Sequence, residues 1–174
     1  TAYRVWLSEI MLQQTQVSTV IPYFDKFIKK YQTISDLANA DIDEILKLWE
    51  GLGYYSRARN LHKTALIVSS DLAGRFPKTV NGLMALPGIG RSTAGAILSL
   101  AFQIPTPILD GNVKRVLTRY HAITGWPGDT KTEKKLWAFA EKYTPSVQIR
   151  NYTQAIMDLG ATVCKRSNPS CSKC

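Results

Sequence analysis

Apolar residues recur at helical spacing along almost the whole chain, and no stretch alternates with period two for long enough to compete as a strand. Val17, Val20, Ile21, Phe24, Phe27, Ile28 and Tyr31 follow the i, i+3, i+4, i+7 rule without a break, with Pro22 inside the pattern as a predicted kink. Ile42, Ile45, Leu46 and Trp49 repeat the rule between an Asp41 cap and a Gly51 stop. Further helices are expected over residues 57–72, 80–86, 91–102, 111–123, 132–143 and 152–163. The expected fold class is therefore all-α. A connector over 103–109 carries two prolines and places the expected boundary between two helical lobes, 1–104 and 105–174. No internal repeat and no low-complexity segment is visible.

The chain has 174 residues, 45% of them hydrophobic and 20% charged, enough for one large or two small lobes with a real core. A formal charge of +9 favours a polyanionic partner without deciding the fold. No apolar run reaches the length of a membrane span and no signal peptide is visible. Thr1-Ala2-Tyr3-Arg4-Val5-Trp6 reads as the interior of a longer protein. Three cysteines at one end, with none elsewhere, do not make a disulfide framework, and a reducing compartment is expected.

The stretch most able to hold a ligand is Leu86-Pro87-Gly88-Ile89-Gly90-Arg91-Ser92-Thr93-Ala94-Gly95. Helix, tight glycine turn and helix follow one another over residues 80–98. Glycines let the backbone approach an anion, and a helix N-terminus turns its partial positive charge towards it. A dinucleotide-binding turn would need G-x-G-x-x-G directly after a strand, which is absent. The stretch resembles the helix-hairpin-helix that grips a DNA phosphate backbone, with Leu86, Gly88 and Gly90 as its contact positions. An ordinary turn between two helices has the same local pattern.

Several residues elsewhere carry chemistry. Glu9 lies in Trp6-Leu7-Ser8-Glu9-Ile10-Met11-Leu12; burial there would raise its pKa and keep it protonated, as a general acid requires. An exposed helical glutamate fits the same local sequence. Gln13-Gln14-Thr15-Gln16 follows, with amides able to wedge into a duplex or bond base edges, or simply to end a helix. Gly51-Leu52-Gly53-Tyr54-Tyr55 sets paired aromatics beside a flexible turn, suited to stacking on bases or to packing under a loop. Arg57, Arg59 and Lys63 just beyond are candidate phosphate contacts. Asp110 opens Asp110-Gly111-Asn112-Val113-Lys114-Arg115 as a good helix N-cap. An aspartate at the mouth of a packed region, opposed by a second carboxyl, also suits glycosidic-bond chemistry. Cys164, Cys171 and Cys174 give C-x6-C-x2-C, three thiolates at metal-ligand spacing. A four-cysteine cluster needs one more ligand; zinc would accept a histidine, but His62 and His121 have no motif relation to the cysteines.

Taken in order, the Ser8–Gln16 and Gly51–Tyr55 segments, the glycine hairpin, Ile108-Leu109-Asp110-Gly111-Asn112-Val113 and the cysteine tail resemble the catalytic domain of the MutY-type adenine DNA glycosylases. These belong to the helix-hairpin-helix glycosylases that include endonuclease III, and the resemblance runs essentially end to end. It implies a six-helix barrel carrying the hairpin, joined to a second lobe that ends in a [4Fe–4S] cluster on Cys164, Cys171, Cys174 and a fourth cysteine expected past Cys174. It implies double-stranded DNA as partner, with adenine mispaired with 8-oxoguanine or guanine flipped out and its N-glycosidic bond cleaved. Glu9 matches the acid that protonates the leaving adenine. Asp110 matches the carboxylate that stabilises the oxocarbenium-like sugar, and Asn112 a residue that orients it.

Gln13 and Tyr54 match the residues that invade the duplex, with Gln14 beside them, and Gln154 matches a position near the extruded adenine. Ser92 stands where the endonuclease III branch has a lysine that forms a Schiff base with the sugar. Serine cannot form that imine, so a monofunctional, monomeric, intracellular glycosylase is expected, with Lys114 near the site as an incidental contact to DNA. Alternatives are an endonuclease III-like glycosylase/lyase and a non-catalytic helix-hairpin-helix DNA-binding module.

Overall fold

The computed structural model describes all of residues 1–174, and its regular structure is helical throughout. Residues Thr1–Gly90 and Arg91–Cys174 form two compact units.

The first unit holds six helices: α1 (Ala2–Leu12), α2 (Val17–Lys30), α3 (Ile34–Ala38), α4 (Ile42–Leu48), α5 (Tyr55–Ser70) and α6 (Val80–Met84). Polar caps start most of them. Asp41 accepts from the Asp43 N–H at the head of α4, and the Thr79 hydroxyl accepts from the Gly82 N–H at the head of α6. Thr33 and Asp36 form a reciprocal capping box that starts α3, a helix too short to show a period in the sequence. Pro22 lies within α2 without ending it. Helix α5 packs against α1, α3 and α4. The core beneath is aromatic: Trp6 sits 5.3 Å from Phe76, and Phe27 meets Trp49 edge-on at 5.8 Å. Trp6, Phe27 and Trp49 are fully buried.

The second unit begins with α7 (Arg91–Ile97), which widens into a π-helical turn over Leu98–Phe102. Helices α8 (Gly111–Tyr120), α9 (Thr130–Tyr143) and α10 (Ile149–Asp158) follow, with a second π-helical turn over Leu159–Val163. Its core joins Ala96, Ile108, Leu109, Val113, Leu117, Leu136 and Ala140.

The division falls inside the hairpin, at Gly90, rather than at the proline connector near residue 104. Side chains of α7 and of the π-helical turn after it fold the connector back: the Ser99 hydroxyl donates to the Thr106 carbonyl (3.0 Å), and the Ser92 hydroxyl accepts from the Leu109 N–H (3.0 Å). Prolines therefore mark an irregular segment packed within the second unit. No helix is long and apolar enough to cross a membrane.

Gly160, in the second π-helical turn, packs against the start of α8. A Cβ there would lie 2.6 Å from the Asn112 Cβ and 3.0 Å from its main chain. Main-chain atoms at the head of a packed helix cannot yield, so Gly160→Ala is expected to destabilise the protein by about 1–3 kcal/mol, despite alanine's better helix propensity. A shift of the urea midpoint to lower concentration checks this.

Candidate DNA-repair site

In the first unit the site candidates cluster around the C-terminal end of α1. Glu9 is half-buried on that helix, beside the buried Ile10 and Met11. The helix stops at Gln13, and Gln14 takes a left-handed conformation (φ 56°). Its last carbonyls have no partner within the helix, and an arginine of α5 answers them. One terminal nitrogen of Arg57 donates to the carbonyls of Ile10 (3.3 Å), Met11 (2.7 Å) and Gln13 (2.6 Å). The other reaches the carbonyls of Leu52 (3.0 Å) and Gly53 (3.3 Å).

Arg57 is therefore not offered to a phosphate: it is 7% exposed and its burial lowers its pKa, against the expectation drawn from its charge. Arg59 and Lys63 remain exposed. Sequence reasoning missed the capping role of Arg57, because the carbonyls it serves at the end of α1 lie more than forty residues upstream in the chain. Tyr54, at the head of α5, is left-handed (φ 48°) and 60% exposed.

The glycine turn is held from the same helix. The Thr64 hydroxyl donates to the Pro87 carbonyl (2.9 Å), and the Gln13 carboxamide donates to the Gly88 carbonyl (3.2 Å). Gly88 has φ 79°, and a Cβ on it would lie 3.0 Å from the Asn60 Cβ, so both conformation and space call for glycine. Gly88 and Gly90 are exposed. Leu86 is different: its side chain is buried and its N–H donates to the Leu83 carbonyl. It anchors the turn from the core side.

In the second unit Asp110 caps α8, its carboxylate accepting from the Val113 N–H at 2.8 Å. Burial pushes its pKa up from the usual 3.8, opposed by the N–H groups of Val113 and Asn112 and by the nearby Arg115 guanidinium. Ser92 holds the connector leading into that cap through the Leu109 N–H. The Asn112 side-chain amide oxygen accepts from Arg115 (2.7 Å), whose guanidinium also reaches the main-chain carbonyls of Gly160 (2.6 Å) and Cys164 (2.6 Å). The Lys114 ammonium pairs with Glu133 at 2.5 Å. Gln154 is exposed and donates to Asp158 (3.0 Å) on the same helix.

The three cysteines do not form the ligand set of a [4Fe–4S] cluster as they stand. Cys171 and Cys174 are exposed free thiols, Cys164 is half-buried with its sulfur 3.5 Å from an Arg119 nitrogen, and no three metal-ligating side chains gather anywhere.

A profile of the HhH-GPD superfamily of base excision DNA repair proteins matches residues 7–142. The chain belongs to that superfamily. The chain is similar to the adenine DNA glycosylase of Buchnera aphidicola subsp. Schizaphis graminum, with 51% identity over all of this chain and 50% of that protein. It is also similar to the human adenine DNA glycosylase, 48% identical over 99% of this chain and 32% of that one. It thus spans half or less of these relatives' length. Among solved structures, a thermostable thymine-DNA glycosylase matches with TM-score 0.88 and 32% identity over 99% of this chain and 80% of the other. An endonuclease III–DNA complex shares the fold at TM-score 0.81, with 24% identity over 99% and 78% of the two chains. The HhH-GPD fold and the hairpin agree with what the sequence implied.

Because burial raises the Asp110 pKa, the folded state keeps that proton to a higher pH than the unfolded chain does. Stability then falls as pH rises from about the ordinary value through the raised one. Asparagine caps as well as aspartate but carries no charge. Asp110→Asn is expected to match the wild type near pH 3.5 and to gain on it as pH rises to neutrality, read from urea midpoints across that range.

Proposed function

We propose that the protein to which this chain belongs is an adenine DNA glycosylase that hydrolyses the N-glycosidic bond of adenine mispaired with 8-oxoguanine or guanine in duplex DNA, without cutting the strand. The observation that carries this reading is the half-buried Asp110 carboxylate capping α8, with a hydroxyl, Ser92, rather than an amine bonded to the Leu109 N–H just before it. Similarity to adenine DNA glycosylases along the whole chain supports adenine as the base.

In the reaction, the Gly88 and Gly90 turn holds the strand by its phosphates, as backbone N–H groups at a helix start hold anions. Gln13, Gln14 and Tyr54 enter the duplex around the extruded adenine, and Gln154 lies towards that base. Glu9 donates a proton to the adenine as the C1′–N9 bond breaks, and the bonding electron pair leaves with the base. The Asp110 carboxylate stabilises the positive charge left on the sugar, with Asn112 orienting the site. Water then adds to C1′, its proton returning to a carboxylate, which gives an abasic site. One carboxyl must start protonated and the other ionised, so the two need different surroundings. Burial raises the Asp110 pKa, and two N–H groups and a guanidinium work against that rise in favour of the ionised form this role needs.

Lys114, one turn beyond Asp110, is engaged by Glu133 rather than offered as a free amine, which supports base removal without lyase chemistry. Cys164, Cys171 and Cys174 would be the thiolates that these residues offer to a [4Fe–4S] cluster, which needs a fourth ligand besides them; no step above runs through it. The protein acts on DNA inside the cell as a monomer.

The full-length protein is expected to release adenine from an 8-oxoguanine:adenine duplex, leaving the strand intact until alkali is added. Borohydride should trap little covalent complex. Efficient trapping that survives Lys114→Ala contradicts monofunctional chemistry, and the absence of adenine release leaves only a DNA-binding module.

A further inference from the structure

Three segments of the first unit that the glycosylase reading turns towards DNA are tied to one stripe of α5. Arg57, Asn60 and Thr64 are spaced i, i+3 and i+7, so they share a helix face. Arg57 serves the end of α1 that carries Gln13 and the turn that carries Tyr54. Its guanidinium also lies 5.4 Å from the ring centroids of both Trp49 and Tyr54. Asn60 lies under Gly88, and Thr64 holds the Pro87 carbonyl. Gln13 closes the loop by bonding Gly88.

We propose that Arg57 is a positioning residue for duplex invasion, fixing from inside the protein the segments that present Gln13 and Tyr54. Together with Asn60 and Thr64 it makes those two segments and the glycine turn move as one rigid body. The role rests on the glycosylase reading above.

The chemistry of the group fits the task. A guanidinium sends donors in two directions from one plane, so a single side chain can span two separate sets of carbonyls. A lysine ammonium is a point donor and reaches one set at a time. The two segments it joins also need holding: Gln14 and Tyr54 are non-glycine residues with positive φ, conformations that persist only when their surroundings impose them. Tyr54 is nevertheless exposed, a large apolar ring kept at the surface by a buried anchor. A wedge opens a base stack only if it does not yield when pressed against it.

The test uses full-length protein with Arg57→Lys and a duplex carrying 2-aminopurine at the target adenine, whose fluorescence reports extrusion. A second duplex carries a stable abasic-site analogue, with no base left to extrude. Thermal midpoints are recorded alongside. Arg57→Lys is expected to slow extrusion about ten- to a hundredfold, as for a misplaced active-site group. Its affinity for the abasic duplex should fall far less, and its midpoint by no more than a few degrees.

Thr64→Val, which removes one hydroxyl from the same stripe at nearly constant volume, is expected to show the same split on a smaller scale. It decides the question if Arg57→Lys does not fold. Undiminished extrusion by the folded variant, or extrusion and abasic-site affinity falling together in proportion to the lost midpoint, overturns the positioning role alone. No extrusion by the wild type overturns the glycosylase reading with it.

Discussion

A fold made of ten short helices has twenty helix ends, and each end leaves backbone N–H or C=O groups without an intrahelical partner. A buried polar group left unpaired costs about 1–3 kcal/mol, comparable to a good part of a domain's net stability. Much of this structure is the answer to that constraint. Thr33, Asp41, Thr79, Asp110 and Asp129 accept from the first N–H groups of α3, α4, α6, α8 and α9. Carbonyls at the far ends draw on more distant partners as well as on local ones such as the Ser70 hydroxyl, which donates to Leu66 in the last turn of α5. Arg57 and Arg115 serve them from other helices, each reaching several carbonyls at once.

The residues that satisfy helix ends are also those on which the proposed chemistry depends. A helix end is where backbone dipoles add up and where a side chain can be held rigidly by main-chain bonds. The Asp110 carboxylate is held by the Val113 N–H it caps, at 2.8 Å. Ser92 fixes the connector before it, and Arg115 fixes the side chain of Asn112 after it. Capping thereby gives preorganisation without a separate device. It also sets the electrostatic balance at Asp110, where burial favours the neutral acid and the cap favours the carboxylate.

How much of this was legible in the sequence follows from the range of the interactions. Local ones were readable. The 3.6-residue period marks α2, α4, α5 and α8, and Asp41 and Asp110 are caps at the heads of α4 and α8. Helix α3 escaped because five residues hold barely one turn of period, and its start is written instead in the Thr33–Asp36 capping box. The prolines near residue 104 signalled irregular backbone correctly but not a division between units, since Ser92 and Ser99 fold that segment onto α7 and the π-helical turn after it. Arg57 was misread for a related reason. A charge on a helix beside a glycine turn looks solvent-facing until its distant carbonyl partners are known, and only the fold supplies them. Leu86 likewise reads in the sequence as part of the exposed turn, although its side chain belongs to the core. The five motifs in family order carried the family assignment because they constrain one another, whereas each alone matched an ordinary cap or turn.

The central claim is that Asp110 does two separable things: as a cap it holds the head of α8, and as a carboxylate it carries the sugar's charge. Asparagine keeps the first and loses the second. The most direct measurement is single-turnover release of adenine from an 8-oxoguanine:adenine duplex by full-length Asp110→Asn, beside its affinity for the same duplex. The account predicts a folded variant that binds as the wild type does and releases adenine slower by about a thousandfold. Release within a few-fold of the wild type would contradict it.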